Sequence, residues 1–211
     1  MQEFFIFSIA VLIMSIVVHE VSHGYVAEIL GDPTARLAGR LTLNPLHHLD
    51  PFGSVILPLM LFFTNSPFMF GWAKPVPYNE YNLRNGKWGP GLVALAGPLA
   101  NIFIATFFSF LIRFGVFPDS VTSMAGLIVL MNLMLAFFNL IPIPPLDGSK
   151  VVASFLPRRY YISWVAFERN IARYGLISMF LFVFFFVLIF ADIFTSLVYS
   201  IFKIFTGLSI I

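Results

Sequence analysis

The stretch SIVVHEVSHGYVAEIL, Ser15 to Leu30, sets two histidines and a glutamate in the middle of an apolar run. An ionisable group inside a lipid-spanning segment costs about 2.5 kcal/mol or more, so such residues persist where they pair with one another or hold a ligand. His19, Glu20 and His23 spell H-E-x-x-H. On a helix, positions i and i+4 share a face about 6 Å apart along the axis, so both imidazoles reach one metal ion while the glutamate lies beside it, toward bound water. The spacing is that of a metallohydrolase, and zinc is the expected metal.

The rest of the chain makes the membrane setting plain. Of 211 residues, 59% are hydrophobic and 10% charged, with 27 phenylalanines, and the mean hydropathy is +0.93. These values are far from those of a soluble domain, and nothing outside the apolar stretches is long enough to fold separately. We therefore expect one membrane-embedded domain spanning residues 1–211. The net charge of +2 comes from Lys and Arg in the connecting segments, where they set topology and meet lipid headgroups; they do not point to nucleic acid. Cysteine is absent, so disulfides and thiolate metal sites are excluded and any metal must be held by His, Asp or Glu. The N-terminus lacks a basic region and a small-residue cleavage site, so it is expected to be a retained helix.

Three apolar stretches, 4–30, 90–114 and 174–202, are long enough to span a bilayer. A fourth runs from Ser123 to Leu146 and is interrupted by NLIPIPPLDG, where Pro142, Pro144 and Pro145 must break the helix. Basic residues cluster after the first stretch (Arg36, Arg40), before the second (Lys74, Arg84, Lys87) and after the fourth (Lys150, Arg158, Arg159, Arg169, Arg173), whereas the turn at Asp119 has none. The positive-inside rule then puts those clusters in the cytoplasm and both termini outside. Val55 to Phe63 is too short to cross and must dip in and return. The alternation in ARLAGRLTLN, 35–44, predicts a β-hairpin or edge strand at membrane depth, which requires an enclosed polar cavity. RRYYISWVAFERNIARYG, 158–175, reads as an interfacial helix.

A hydrolytic zinc site uses three protein ligands and an open position for water. The third ligand must come from His47, His48, Asp50, Asp147, Glu28, Glu80 or Asp32. Asp147 is favoured, because it follows the proline-broken region in an otherwise uncharged stretch; a helix cap is its other use. Asn139 either donates to a substrate carbonyl or satisfies freed backbone groups. In LAGPLAN, 95–101, the small residues suit close helix packing and Asn101 suits an interhelical hydrogen bond. His47 and His48 are expected to line a loop or cavity.

Five motifs, HEVSHG (19–24), AGRLTLNPLHHLDPFGSVILP (38–58), FGWAKPVP (70–77), ALAGPLAN (94–101) and NLIPIPPLDGSKV (139–151), occur in this order. With them the chain resembles the site-2 proteases, intramembrane zinc metalloproteases, over nearly its whole length, and looks like a compact prokaryotic member. The resemblance implies an α-helical integral membrane protein with about four transmembrane helices, a re-entrant β-hairpin element over Gly39 to Pro51, and a three-helix catalytic core that includes the AGPLAN helix. It implies one zinc ion on His19, His23 and Asp147, with Glu20 as catalytic acid/base and Asn139 assisting. No PDZ-like or CBS-like insertion is expected.

The function so expected is hydrolysis of peptide bonds within or near the transmembrane segments of other membrane proteins, as in regulated intramembrane proteolysis, with the site toward the cytoplasmic side of a prokaryotic cell membrane. Two other classes compete. A catalytically silent zinc-binding scaffold has no need of Glu20, and a zinc transporter would carry further His and acidic residues through its spans.

Overall fold

The computed structural model of the chain describes residues 2–56, 60, 63 and 73–208. Seven helices are described: α1 (Gln2–Ile29), α2 (Thr34–Leu37), α3 (Trp88–Arg113), α4 (Asp119–Asn139), α5 (Asp147–Phe155), α6 (Arg158–Arg173) and α7 (Leu176–Thr206). Within them, Ile6–Ile29, Trp88–Arg113, Asp119–Asn139 and Leu181–Thr206 are long and apolar enough to cross a membrane. At 1.5 Å per residue the shortest of these, 21 residues, is about 31 Å long, enough for a hydrocarbon core of about 30 Å.

The expected fourth stretch divides in two. α4 begins earlier than expected, at Asp119, and stops at Asn139; the helix resumes only at Asp147, as α5. Pro142, Pro144 and Pro145 cannot donate to a helical ladder, so the chain runs through turns and bends between Asn139 and Asp147 before α5 begins.

α3 is the hub of the bundle, packed against α1, α4, α5 and α7, while α1 also meets α4. The three helices α1, α3 and α4 thus enclose one another's polar faces. Beside them, Ala105 and Ile112 of α3, Ala125, Val129 and Leu133 of α4, and Val198 and Phe202 of α7 form a buried apolar cluster. The outward face of α7 exposes Leu181, Phe184, Phe185, Leu188 and Ile189, side chains that suit a lipid surround. α6 buries none of its residues, as an amphipathic helix outside the bundle should.

The segment expected as a strand is built differently. Asp32 accepts from the N–H and hydroxyl of Thr34, at 3.3 and 2.5 Å, a local side-chain turn that leads into the short helix α2 and displaces the strand-like alternation. A turn at 38–39 and an irregular segment over 40–44 follow, with Asn44 in extended backbone, and no strand occurs among the described residues. Pro51–Ile56 forms a wide helical turn, at whose start Asp50 accepts from the N–H groups of Phe52 and Gly53, at 3.1 and 2.7 Å. Most of the dipping piece expected over Val55 to Phe63 lies outside the described residues.

Candidate metal centre

His19 and His23 stand one turn apart on α1, with ring centroids 4.7 Å apart and planes at right angles. Asp147, the first residue of α5, brings its Oδ2 to 3.1 Å from Nε2 of His19 and 3.3 Å from Nε2 of His23. The sequence separation of 128 residues is closed by the turn at the prolines. The carboxylate therefore faces the imidazoles, and the capping alternative does not apply.

The other ring nitrogens fix which atoms face the centre. Nδ1 of His19 lies 2.7 Å from Oδ1 of Asn101, and Nδ1 of His23 lies 2.7 Å from the carbonyl of Val93. A carbonyl oxygen cannot donate, so each Nδ1 carries a proton, and in the neutral imidazole Nε2 is the atom left to ligate a metal. The Asn101 amide is oriented in turn, because its Nδ2 donates to the carbonyl of Ser15 at 3.2 Å and to Oδ1 of Asn132 at 2.8 Å. Asn132 donates onward to Oγ of Ser15 at 3.0 Å. Ser15, His19, Asn101 and Asn132 are all buried, so α1, α3 and α4 are joined by a closed polar network behind the imidazoles. In α3, Pro98 gives Ala94 no N–H to accept from, and it is in this turn that Val93 lends its carbonyl to His23.

Gly97 lets α3 come this close. A β-carbon there would lie 2.5 Å from Nε2 of His23 and 2.7 Å from Cε1 of His19, so any larger residue would push against the imidazoles themselves.

These donors suit zinc. Ligand atoms of His19, His23 and Asp147 lie within 4.8 Å of one another. Tetrahedral ligands at about 2.0–2.1 Å from an ion stand about 3.3 Å apart, which matches the separations of 3.1 and 3.3 Å. Two neutral imidazoles and one carboxylate leave a fourth position open.

Glu20, half-buried on α1, accepts from the backbone N–H of Val76 through Oε2 at 2.9 Å. Asn139 is not directed at the centre by its recorded bond: its Nδ2 donates to the carbonyl of Leu135, one turn back on its own helix, at 2.9 Å. It satisfies backbone at the end of α4.

The remaining ligand candidates have other partners. Glu28 pairs with Arg36, which holds the Glu28 side chain at the surface. Glu80 accepts from Lys150 at 3.2 Å. Asp32 is fully buried and accepts from Thr34, from the N–H of Asn79 at 2.6 Å and from Nδ2 of Asn82 at 2.8 Å. Burial pushes its carboxyl up, but the bonds from Thr34, Asn79 and Asn82 together outweigh burial and hold it below the usual range. Burial likewise works against charge on Lys150, while Tyr78 and Glu80 beside it carry the ammonium above its ordinary value. His48 is buried with Nε2 2.8 Å from the carbonyl of Thr42, and His47 is exposed; neither joins the centre.

Asn132 and Val76 were not anticipated as part of this surround. Asn132 carried a signal: it is a lone amide in the apolar run LIVLMNLMLAFF, 127–138. Val76 carried none, since it acts through its backbone.

Four apolar helices, with two buried histidines and a half-buried aspartate gathered where α1, α3 and α5 meet, define a multi-pass membrane protein with a site suited to a catalytic metal. The model of "Peptidase family M50" matches residues 115–183. "Putative zinc metalloprotease YwhC" of Bacillus subtilis is 36% identical over 155 residues, covering 69% of this chain and 67% of the relative. "Putative zinc metalloprotease Rip2" of Mycolicibacterium smegmatis is 32% identical, covering 68% and 55%, and "Zinc metalloprotease MJ0392" of Methanocaldococcus jannaschii is 28% identical, covering 80% and 42%. No solved structure matches the chain significantly. The chain belongs to peptidase family M50, the site-2 protease family.

Proposed function

We propose that this protein is a zinc metalloendopeptidase that hydrolyses peptide bonds within or near the transmembrane segments of other membrane proteins, as in regulated intramembrane proteolysis. The observation that carries the reading is the convergence of His19, His23 and Asp147, at separations of 3.1 and 3.3 Å, inside an apolar bundle, with Glu20 adjacent in sequence. Family membership and the names of the relatives support a zinc peptidase.

His19 and His23 through Nε2 and Asp147 through Oδ2 would hold a single zinc ion, which when bound supplies Lewis-acid activation of water and stabilises a developing oxyanion. Glu20 accepts the proton of the attacking water on Oε1 and returns it to the amine nitrogen of the leaving segment. Asn101 and the Val93 carbonyl keep the imidazoles oriented throughout. Asn139 assists at the site only if its amide leaves the Leu135 carbonyl.

We assign the site to the cytoplasmic side of a prokaryotic cell membrane. His19 and His23 lie toward the Arg36 end of α1, and at this end Arg40 donates to the carbonyl of Lys74 at 2.8 Å and Lys87 to that of Leu156 at 2.9 Å, which gathers the basic residues together. The substrate must unwind to be cut, and residues 40–44, an irregular segment without regular secondary structure, are the segment we assign to pair with it. Leu41 supports this, because its side chain packs on α1 at Gly24, one residue from His23. Gly39→Pro or Leu41→Pro should lower cleavage and leave zinc in place; normal turnover in both would remove this segment from the account.

The test is reconstitution of the purified protein in liposomes with a single-span substrate tagged at both ends, and mass spectrometry of the products. New termini inside or at the edge of the apolar span support the reading. Cleavage confined to soluble loops, or none with any membrane substrate, contradicts it.

A further inference from the structure

KPVP, Lys74 to Pro77, is a stretch whose backbone has little freedom and few donors. Pro75 and Pro77 have fixed φ and no N–H, and each restricts the residue before it to extended conformations. Across Pro75–Pro77 the sole N–H is that of Val76. It is spent on Oε2 of Glu20, at 2.9 Å.

The segment is held on every side. Lys74 donates its N–H to the His48 carbonyl at 2.9 Å, and Arg40, itself buried, donates to the carbonyls of Lys74 and Pro75 at 2.8 and 3.3 Å. Beyond Pro77, Asp32 clamps Asn79 and Asn82, Arg84 donates its N–H to the Leu30 carbonyl at 2.8 Å, and Tyr78 and Glu80 meet Lys150 of α5. The Val76 side chain is seated on α1 as well: a β-carbon at Gly24 would lie 2.8 Å from its Cγ1. So many anchors on a stiff segment fix one N–H in space far better than a free loop could.

We infer that Val76 is a positioning residue for the hydrolysis: its backbone N–H anchors one carboxylate oxygen of Glu20, so that the other is aimed at the attacking water. The strap 73–84 exists in this view to hold that donor, and its contacts with α1 and with α5 keep the proton carrier in register with both halves of the His, His, Asp cluster. The inference rests on the assignment of Glu20 as proton carrier.

The test replaces Val76 in the full-length protein, in liposomes, by the α-hydroxy acid of valine. This exchanges the N–H for an ester oxygen and leaves the side chain unchanged; the reference is protein made by the same route with valine. The ester protein should show kcat lowered about tenfold, with KM and bound zinc within about twofold of the reference. A purely structural role would move zinc content and KM together with kcat, and that pattern, or an unchanged kcat, overturns the inference. Amide exchange at Val76 in the full chain gives a second readout that needs no turnover: it should be at least about tenfold faster in Glu20→Ala, and equal rates overturn the inference. Glu20→Gln separates the two levels. If it cleaves as fast as wild type, the proposed function falls and this inference with it; if it is inactive while the ester protein is fully active, only the inference falls.

Discussion

Oδ1 of Asn101 accepts from Nδ1 of His19 at 2.7 Å, across the interface between α3 and α1. One amide thereby decides which imidazole nitrogen faces the metal centre. Its own orientation is imposed by Ser15 and Asn132, so the direction of His19 is written into three helices at once.

From this follows a rank order. Asn101→Ala removes the acceptor and should weaken zinc binding about 10–100-fold, as loss of a group supporting a metal ligand does. Asn132→Ala breaks the network one step farther from the imidazole and should weaken it less. Competitive zinc titration of the purified variants reads both; equal affinity in wild type and Asn101→Ala would remove Asn101 from this role.

Gly97 makes a sharper steric case. Its added β-carbon would lie 2.5–2.7 Å from atoms of both imidazoles, whereas one at Gly126 meets nothing nearer than 3.5 Å. Gly97→Ala should therefore lower zinc affinity by at least about tenfold, since it displaces two ligands and the helix they pack on. Gly126→Ala should leave it unchanged. Circular dichroism and bound zinc, measured together, separate displacement of ligands from loss of the bundle.

Asp32 gives a pH dependence with a definite sign. Its carboxyl is held below its ordinary value, so the stability it adds is complete above the unfolded-state value near pH 4 and is lost as the pH falls through the lower folded-state value. Asp32→Asn should cost about 1–3 kcal/mol at pH 7, because Thr34, Asn79 and Asn82 lose the ionised acceptor at the buried Asp32 position. The gap between variant and wild type should narrow below about pH 4. Unfolding in mild detergent from pH 7 to pH 3 checks it, and a gap that grows on acidification would contradict the clasp.

Much of this was readable in the chain. H-E-x-x-H at i and i+4 within an apolar run is a local pattern with few other physical uses, and Asp147 was marked by being an isolated acid after a helix-breaking Pro142–Pro145. What was not readable depends on contacts through backbone or over long range. Val76 acts through an N–H that every non-proline residue has, so no residue type announces it. Alternation over 35–44 predicts a strand, but the bond between the Asp32 and Thr34 side chains turns the chain locally, and the short helix Thr34–Leu37 follows. Asn139 draws attention because it precedes the prolines, whereas the amides that serve the imidazoles, directly or through one partner, are Asn101 on α3 and Asn132, two turns before Asn139 on α4.

The central claim is that Glu20 moves the proton while His19, His23 and Asp147 hold the metal. Its most direct measurement is cleavage of a reconstituted membrane substrate by wild type and Glu20→Gln, with bound zinc determined on the same samples. The account predicts about one zinc per chain in both proteins and cleavage by the wild type alone. Equal cleavage by both, or loss of zinc from Glu20→Gln, would contradict it.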